Sequence, residues 1–199
     1  MNLNHFPILW QQPKVYLCRH ATPDWSRTDI RYDIPPGPPL TAHGESEASK
    51  LGEFLKNAGV GKIYHSPLER TKRTAQLAAE IIGISVIEEE AVREWTREET
   101  SGGVLSRFRP FWESVVQEST EGMPIAIVTH GGPIASLLAD LMLDAAEMNF
   151  YKQQFDHGNP VPPAGVWLTT RSNHDVRWQL ELVFTPQPAK RYQAQTMFV

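Results

Sequence analysis

The chain has one cysteine, Cys18, so no internal disulfide framework can exist. Cys18 lies in an apolar run and reads as a buried, inert thiol. No stretch reaches about 18 consecutive apolar residues, so no segment is expected to span a membrane. Met1 to Trp10 has neither a basic start nor an extended apolar run and does not read as a signal peptide, which makes the cytoplasm the expected compartment. Lys and Arg number 19 against 23 Asp and Glu, with no basic block, so a nucleic-acid partner is not expected. Neither the P-loop glycine pattern nor a dinucleotide-binding fingerprint occurs. The seven histidines lack a compact ligand spacing. Neither a metal nor a cofactor is expected.

A chain of 199 residues with 41% hydrophobic content suits a single domain over 1–199, with 1–13 as an N-terminal extension and 185–199 as a C-terminal tail. The 16 prolines cluster at Pro35, Pro36, Pro38, Pro39 and at Pro160, Pro162, Pro163, marking loops. Lys14 to Cys18 reads as a strand ending at Arg19-His20, and the long polar segment 21–39 reads as a functional loop. Helical spacing follows Thr41, a plausible cap, and stops at Asn57 to Gly61. Lys62 to Tyr64 reads as a short strand, and a helix then opens at Pro67, with Ser66 as its expected cap. Ser85 to Ile87 is a strand candidate, and Leu105 to Glu118 reads as a helix. Pro124 to Thr129 is apolar without alternation, as a parallel strand covered on both faces should be. A helix over 133–143 and two late strands, Gly165 to Thr170 and Val176 to Phe184, complete the order. Strands alternating with helices argue for an α/β fold, a three-layer α/β/α sandwich with a mainly parallel sheet. Ligands in such sheets bind beyond the carboxyl ends of strands, where Arg19-His20 and His130-Gly131-Gly132 both stand.

That set of groups suits phosphoryl transfer. A neutral imidazole can attack phosphorus, arginines can oppose the charge on its oxygens, and a carboxylic acid can protonate the leaving oxygen.

The sequence resembles the histidine phosphatase superfamily, the branch that includes cofactor-dependent phosphoglycerate mutases. Its Arg-His-Gly motif stands here as Arg19-His20-Ala21, and its Leu-Thr-x-x-Gly motif as Leu40-Thr41-Ala42-His43-Gly44. Ser66-Pro67-Leu68-Glu69-Arg70 with Thr74-Ala75, and Thr129-His130-Gly131-Gly132, match two further motifs in order. The resemblance implies a phosphoglycerate mutase-like fold and His20 as the nucleophile that becomes phosphohistidine. It implies Arg19 and Arg70 as phosphate-binding groups, joined by Gly131, and His130 as the second histidine of the pocket. The family's acid falls best on Glu94 of Val92-Arg93-Glu94, with Glu98 or Glu99 as alternatives, because 96–103 lacks the family's glycine pattern. Ala21 replaces the motif glycine. Ser66, His65 and Trp25 are possible pocket residues, with Tyr32 and Trp95 as further loop aromatics, while His43 reads as a surface residue and His157 as a weaker candidate.

The family's mutases usually carry an insertion that walls off water, and none stands between Thr96 and Pro124. A phosphomonoester hydrolase acting on a small phosphorylated metabolite is therefore expected. A mutase and a catalytically silent phospholigand-binding protein are the alternatives. A homodimer is a possibility, through an edge strand carrying Trp167 or Trp178.

Overall fold

The computed structural model describes residues 12–172 and 177–187, and side chains within them except those of Glu121 and His157. Most of the expected extension and tail, together with His5 and His174, lies outside the described residues.

Six strands form one sheet in the order β3-β2-β4-β1-β5-β6. They are β1 (Lys14–Arg19), β2 (Lys62–His65), β3 (Val86–Glu88), β4 (Ile125–Thr129), β5 (Val166–Thr170) and β6 (Gln179–Phe184). The first four are parallel, and β5 runs antiparallel to both β1 and β6. Strand period two explains the layering. Val15 and Leu17 of β1, with Ile125 and Ile127 of β4, pack on one face against Phe108, Trp112 and Leu137. Tyr16, Cys18, Ala126 and Val128 pack on the other against Ala48, Leu51 and Ala75. Both central strands are buried on two sides, which is why PIAIVT carries no polar alternation.

Helices α1 (Ala42–Asn57) and α2 (Glu69–Ile82) cover one face, and α3 (Ser101–Glu121), α4 (Gly131–Asp140) and α5 (Ala145–Gln154) the other. The Thr41 side chain caps α1 by accepting from the Gly44 N–H, as the sequence suggested. Three expectations shift. Ser66 is not a helix cap: α2 opens at Glu69 with Leu68 at the cap position and no side-chain bond. The Glu69 N–H instead donates to the Pro36 carbonyl at 2.7 Å, and the Ser66 hydroxyl lies 2.8 Å from His130 Nε2. Helix α3 begins four residues earlier than expected, capped by Thr100. Helix α5, capped by Asp144, has no counterpart among the expected elements.

Trp167 is fully buried on the interior strand β5, its indole N–H bonded to the Pro160 carbonyl. Trp178 packs against Trp112. Both tryptophans therefore serve the core, and among the described residues the sheet's edges are β3 and β6.

Candidate active site

The sheet register builds the site. Arg19 of β1 pairs with Thr129 of β4, so the next residues, His20 and His130, emerge side by side with ring centroids 5.3 Å apart. Strand β2 ends beside β4 with Ser66 N–H on the Val128 carbonyl, which brings the Ser66 hydroxyl to His130. Three motifs far apart in sequence thus meet at one carboxyl edge.

His20 is buried, with Nδ1 2.8 Å from the Ala21 carbonyl. A carbonyl only accepts, so Nδ1 carries the proton and Nε2 keeps its lone pair. Burial, and then the charges of Arg70 and Arg19, hold the imidazole well below its usual pKa and so neutral. Ala21 keeps an ordinary backbone conformation, its methyl packs in the α1/α2 core, and its N–H donates to Thr74 Oγ1. The methyl in place of the motif glycine is accommodated without strain. Gly44 is different: a Cβ there would stand 2.2 Å from the Thr22 carbonyl oxygen, so the absent side chain lets α1 close on the backbone after His20. Glu47 Oε2 accepts from Thr22 N–H at 2.8 Å and completes that clamp.

Arg70 is fully buried and works in three directions. Nη2 donates to Glu94 Oε2 and to His130 Nδ1, each at 3.1 Å, and Nη1 donates to the Tyr32 carbonyl at 2.8 Å. His130 therefore accepts at Nδ1 and donates from Nε2 to Ser66 Oγ, and burial followed by the Arg70 charge keeps it neutral too. Arg19 forks onto Asp156, Nη1 to Oδ1 at 2.6 Å and Nη2 to Oδ2 at 3.0 Å, with Nη1 also on the Val161 carbonyl. In both arginines the Nε–H is buried without an acceptor among the described residues. Two cationic donors left open beside a neutral imidazole form an environment suited to an oxyanion. Asp156 gave no signal in the sequence, because it sits in a short 3₁₀ turn after the unread α5.

Glu94 is nearly buried, and desolvation raises its carboxyl above the usual range despite the Arg70 charge. Its Oε1 accepts from Trp95 N–H. The loop behind it is locked by Glu99, whose carboxylate lies between Arg93 and Arg107, and both guanidinium groups also donate to the Glu94 carbonyl. Those partners hold the Glu99 carboxyl down at about 2, so it stays ionised, while Glu98 is exposed. Neither alternative shares the buried position of Glu94 against Arg70 and His130.

His20, Glu94 and His130 offer ligand atoms within 4.8 Å of one another, a spacing a cation could use. Arg70 already donates to Glu94 Oε2 and His130 Nδ1, so these lone pairs are taken and the neighbouring charge is positive.

Gly131 opens α4 directly after His130, and a Cβ there would meet Asn159 Oδ1 at 2.1 Å. Trp25 is partly exposed and stacks on Tyr32, whose hydroxyl reaches His20 Nε2 at 3.2 Å. His65 is buried with Nδ1 on the Ser66 carbonyl and has no hydrogen bond to His20, Arg70 or His130 among the described residues. His43 is exposed on α1 beside Glu47. Among the described residues no helix is long and apolar enough to cross a membrane.

A sequence profile of the histidine phosphatase superfamily (branch 1) matches residues 15–103. A probable phosphoglycerate mutase of Klebsiella pneumoniae subsp. pneumoniae is 42% identical over 81 residues, covering 41% of this chain and 37% of that protein. One from Serratia proteamaculans is 29% identical over 134 residues, covering 67% and 61%. The chain thus spans under two thirds of the length of these relatives. Among solved structures, phosphoglycerate mutase from Bacillus anthracis superposes with a TM-score of 0.70 at 17% identity, covering 88% of this chain and 94% of that one. A mycobacterial glucosyl-3-phosphoglycerate phosphatase complexed with VO3 gives 0.67 at 22%, covering 85% and 97%. At such identities these two speak for the fold, which is phosphoglycerate mutase-like. The profile match over residues 15–103, the motif order and the fold are all similar to those of the histidine phosphatase superfamily (branch 1).

Proposed function

We propose that the chain is a phosphomonoester hydrolase working through a phosphohistidine on His20. The observation that carries this reading is the state of His20: a buried, neutral imidazole whose Nδ1–H is tied to the Ala21 carbonyl, leaving Nε2 as the nucleophilic nitrogen beside Arg19 and Arg70. In the first step Nε2 forms a bond to phosphorus, the ester P–O bond breaks, and the Glu94 carboxyl gives its proton to the leaving oxygen. In the second step the Glu94 carboxylate takes a proton from water, the water oxygen bonds to phosphorus, and the P–N bond breaks. Inorganic phosphate leaves and His20 regains its lone pair. The Nε–H groups of Arg19 and Arg70 oppose the charge on the transferring oxygens.

Water is favoured as the acceptor over a second hydroxyl of the substrate. A mutase retains a bisphosphate, which needs cations for a second phosphoryl group. On the loop 21–39, Arg27 and Arg31 pair with Asp29 and Asp33, and Arg93 and Arg107, the latter on α3, pair with Glu99 behind Glu94. The stretch between Thr96 and Pro124 is mostly the single helix α3 and supplies no additional wall. The mutase reading draws on the likeness to probable phosphoglycerate mutases, and a bisphosphoglycerate-dependent isomerisation assay tests it directly.

The test of the hydrolase reading is a rapid acid-free quench after mixing with a generic aryl phosphate. An acid-labile phosphoryl group should appear on the wild type and be absent from His20→Ala. Turnover that survives His20→Ala would sink the mechanism.

A further inference from the structure

The long loop 21–39 reaches into the site through one residue. Its neck is pinned by backbone bonds, Thr41 N–H to the Thr22 carbonyl at 3.1 Å and Asp24 N–H to the Pro39 carbonyl at 2.8 Å, around a Pro23–Leu40 bridge. From that neck the loop carries Tyr32 onto the reacting centre. Because Nε2 of His20 holds the lone pair, the Tyr32 hydroxyl donates to it, at 3.2 Å. The same residue covers Arg70, whose guanidinium carbon lies 3.8 Å from the Tyr32 ring centroid and whose Nη1 donates to the Tyr32 carbonyl. Gly37 makes this approach possible: it has φ +67, and a Cβ there would stand 2.8 Å from Arg70 Nη1. Trp25 stacks on the outer side of Tyr32 with centroids 4.9 Å apart.

A phosphorus atom poised for attack stands about 3–3.5 Å from the nucleophile along its lone pair. The phenol oxygen already occupies that distance on Nε2. Both cannot be there together. We propose that Tyr32 is a self-inserted plug on the reacting nitrogen: it takes the phosphoryl position on His20 and Arg70 in the free protein, and the loop between its pinned ends swings out when an oxyanion binds. This rests on the hydrolase reading for its purpose but not for its geometry. Displacement releases three things together, the Nε2 lone pair, the Nη1 donor of Arg70 and the face of that guanidinium. All three are assets an incoming phosphoryl group uses, so the plug selects for ligands that replace all of them. A small anion without a phosphoryl-like reach to Nε2 leaves Tyr32 in place.

The plug makes the open form a minor population, and apparent affinity falls by that population. Two measurements on the full chain test it, with Tyr32→Phe, Tyr32→Ala and His20→Ala. The first needs no phosphoryl ligand: carbethoxylation of His20 by diethylpyrocarbonate, followed by peptide mass mapping. Losing a hydrogen bond and a cation–π contact should raise the rate at His20 roughly ten-fold or more in Tyr32→Ala, and less in Tyr32→Phe, which keeps the ring over Arg70. The second is orthovanadate binding by calorimetry. Tyr32→Ala should bind roughly ten-fold tighter than wild type, and the wild-type association rate should level off with vanadate concentration while the variant rate keeps rising. Equal carbethoxylation in wild type and both Tyr32 variants, with unchanged melting temperatures, overturns the plug. So does weaker vanadate binding in both, which makes Tyr32 a ligand contact instead. If Tyr32→Ala exposes His20 and binds vanadate more tightly than wild type, yet neither protein forms phosphohistidine, the plug stands and the hydrolase reading falls; no vanadate binding by any variant overturns the plug.

Discussion

Replacing Glu94 with Gln separates the two chemical steps. The amide keeps the shape and its oxygen can still accept from Trp95 N–H, as Oε1 does at 2.9 Å. Its nitrogen then takes the place of Oε2, which accepts from Arg70 Nη2 at 3.1 Å and lies 3.3 Å from His130 Nδ1. Two donors now face each other, so a charge-assisted bond worth about 1.5–3 kcal/mol is lost. A neutral amide costs less to bury than a carboxylate, which returns part of that loss. The net cost in stability should be about 1 kcal/mol, small against the chemical effect. General acid–base catalysis contributes about 10²–10⁴-fold, so kcat/KM for an alkyl phosphate should fall by that factor. With p-nitrophenyl phosphate the leaving group departs as a stable anion and needs no proton. His20 should then be phosphorylated at near wild-type rate, while hydrolysis of the phosphohistidine lacks its base. Stopped-flow absorbance should show a burst of p-nitrophenolate of one equivalent per site, and the quenched protein should carry phosphohistidine. Equal losses on the two esters, with no burst, would refute the role given to Glu94.

Further outcomes follow from the same geometry. Glu99 fixes the Glu94 main chain through Arg93 and Arg107, so Glu99→Gln should lower kcat for alkyl phosphates by about ten-fold and leave KM nearly unchanged; a KM effect of the same size would mean a merely structural role. Gly44→Ala forces a methyl against the Thr22 carbonyl and should cost about 3 kcal/mol, read by chemical denaturation, whereas Gly102→Ala in the open first turn of α3 should cost nothing. His20 and His130 are held below their usual 6.5, so unfolding takes up a proton at each as pH falls below that value. Each then removes about 1.4 kcal/mol of stability per pH unit until the folded form protonates. Glu94, with its raised carboxyl, acts in the opposite sense, stabilising at low pH and losing that share as pH rises. Denaturant titrations between about pH 7 and about pH 5 should show a net fall equal to about one to two protons; a flat profile would mean that the histidines are not held neutral.

The sequence by itself determined the parts that local physics controls. The uninterrupted apolar run at Ile125–Thr129 declared a strand buried on both faces, and Thr41 with Gly44 declared the start of α1. The resemblance of the motifs to the histidine phosphatase superfamily named His20, Arg19, Arg70 and His130, and His20 and His130 each follow the last residue of a strand. Elements with weaker signals are not legible in the sequence. Helix α5 has only one buried residue, Met148, so no apolar stripe marked it, and Ser66 looked like a helix cap because its true partner, His130, lies 64 residues away. Only the tertiary structure decided how the groups act. Strand register brought His20 beside His130, and burial set the neutral state of both and raised Glu94. Asp156 on Arg19 and Tyr32 on His20 come from loops whose composition says nothing of their targets. Pairings between distant segments depend on the assembled sheet and not on local preference, so their partners become readable only once the chain has folded.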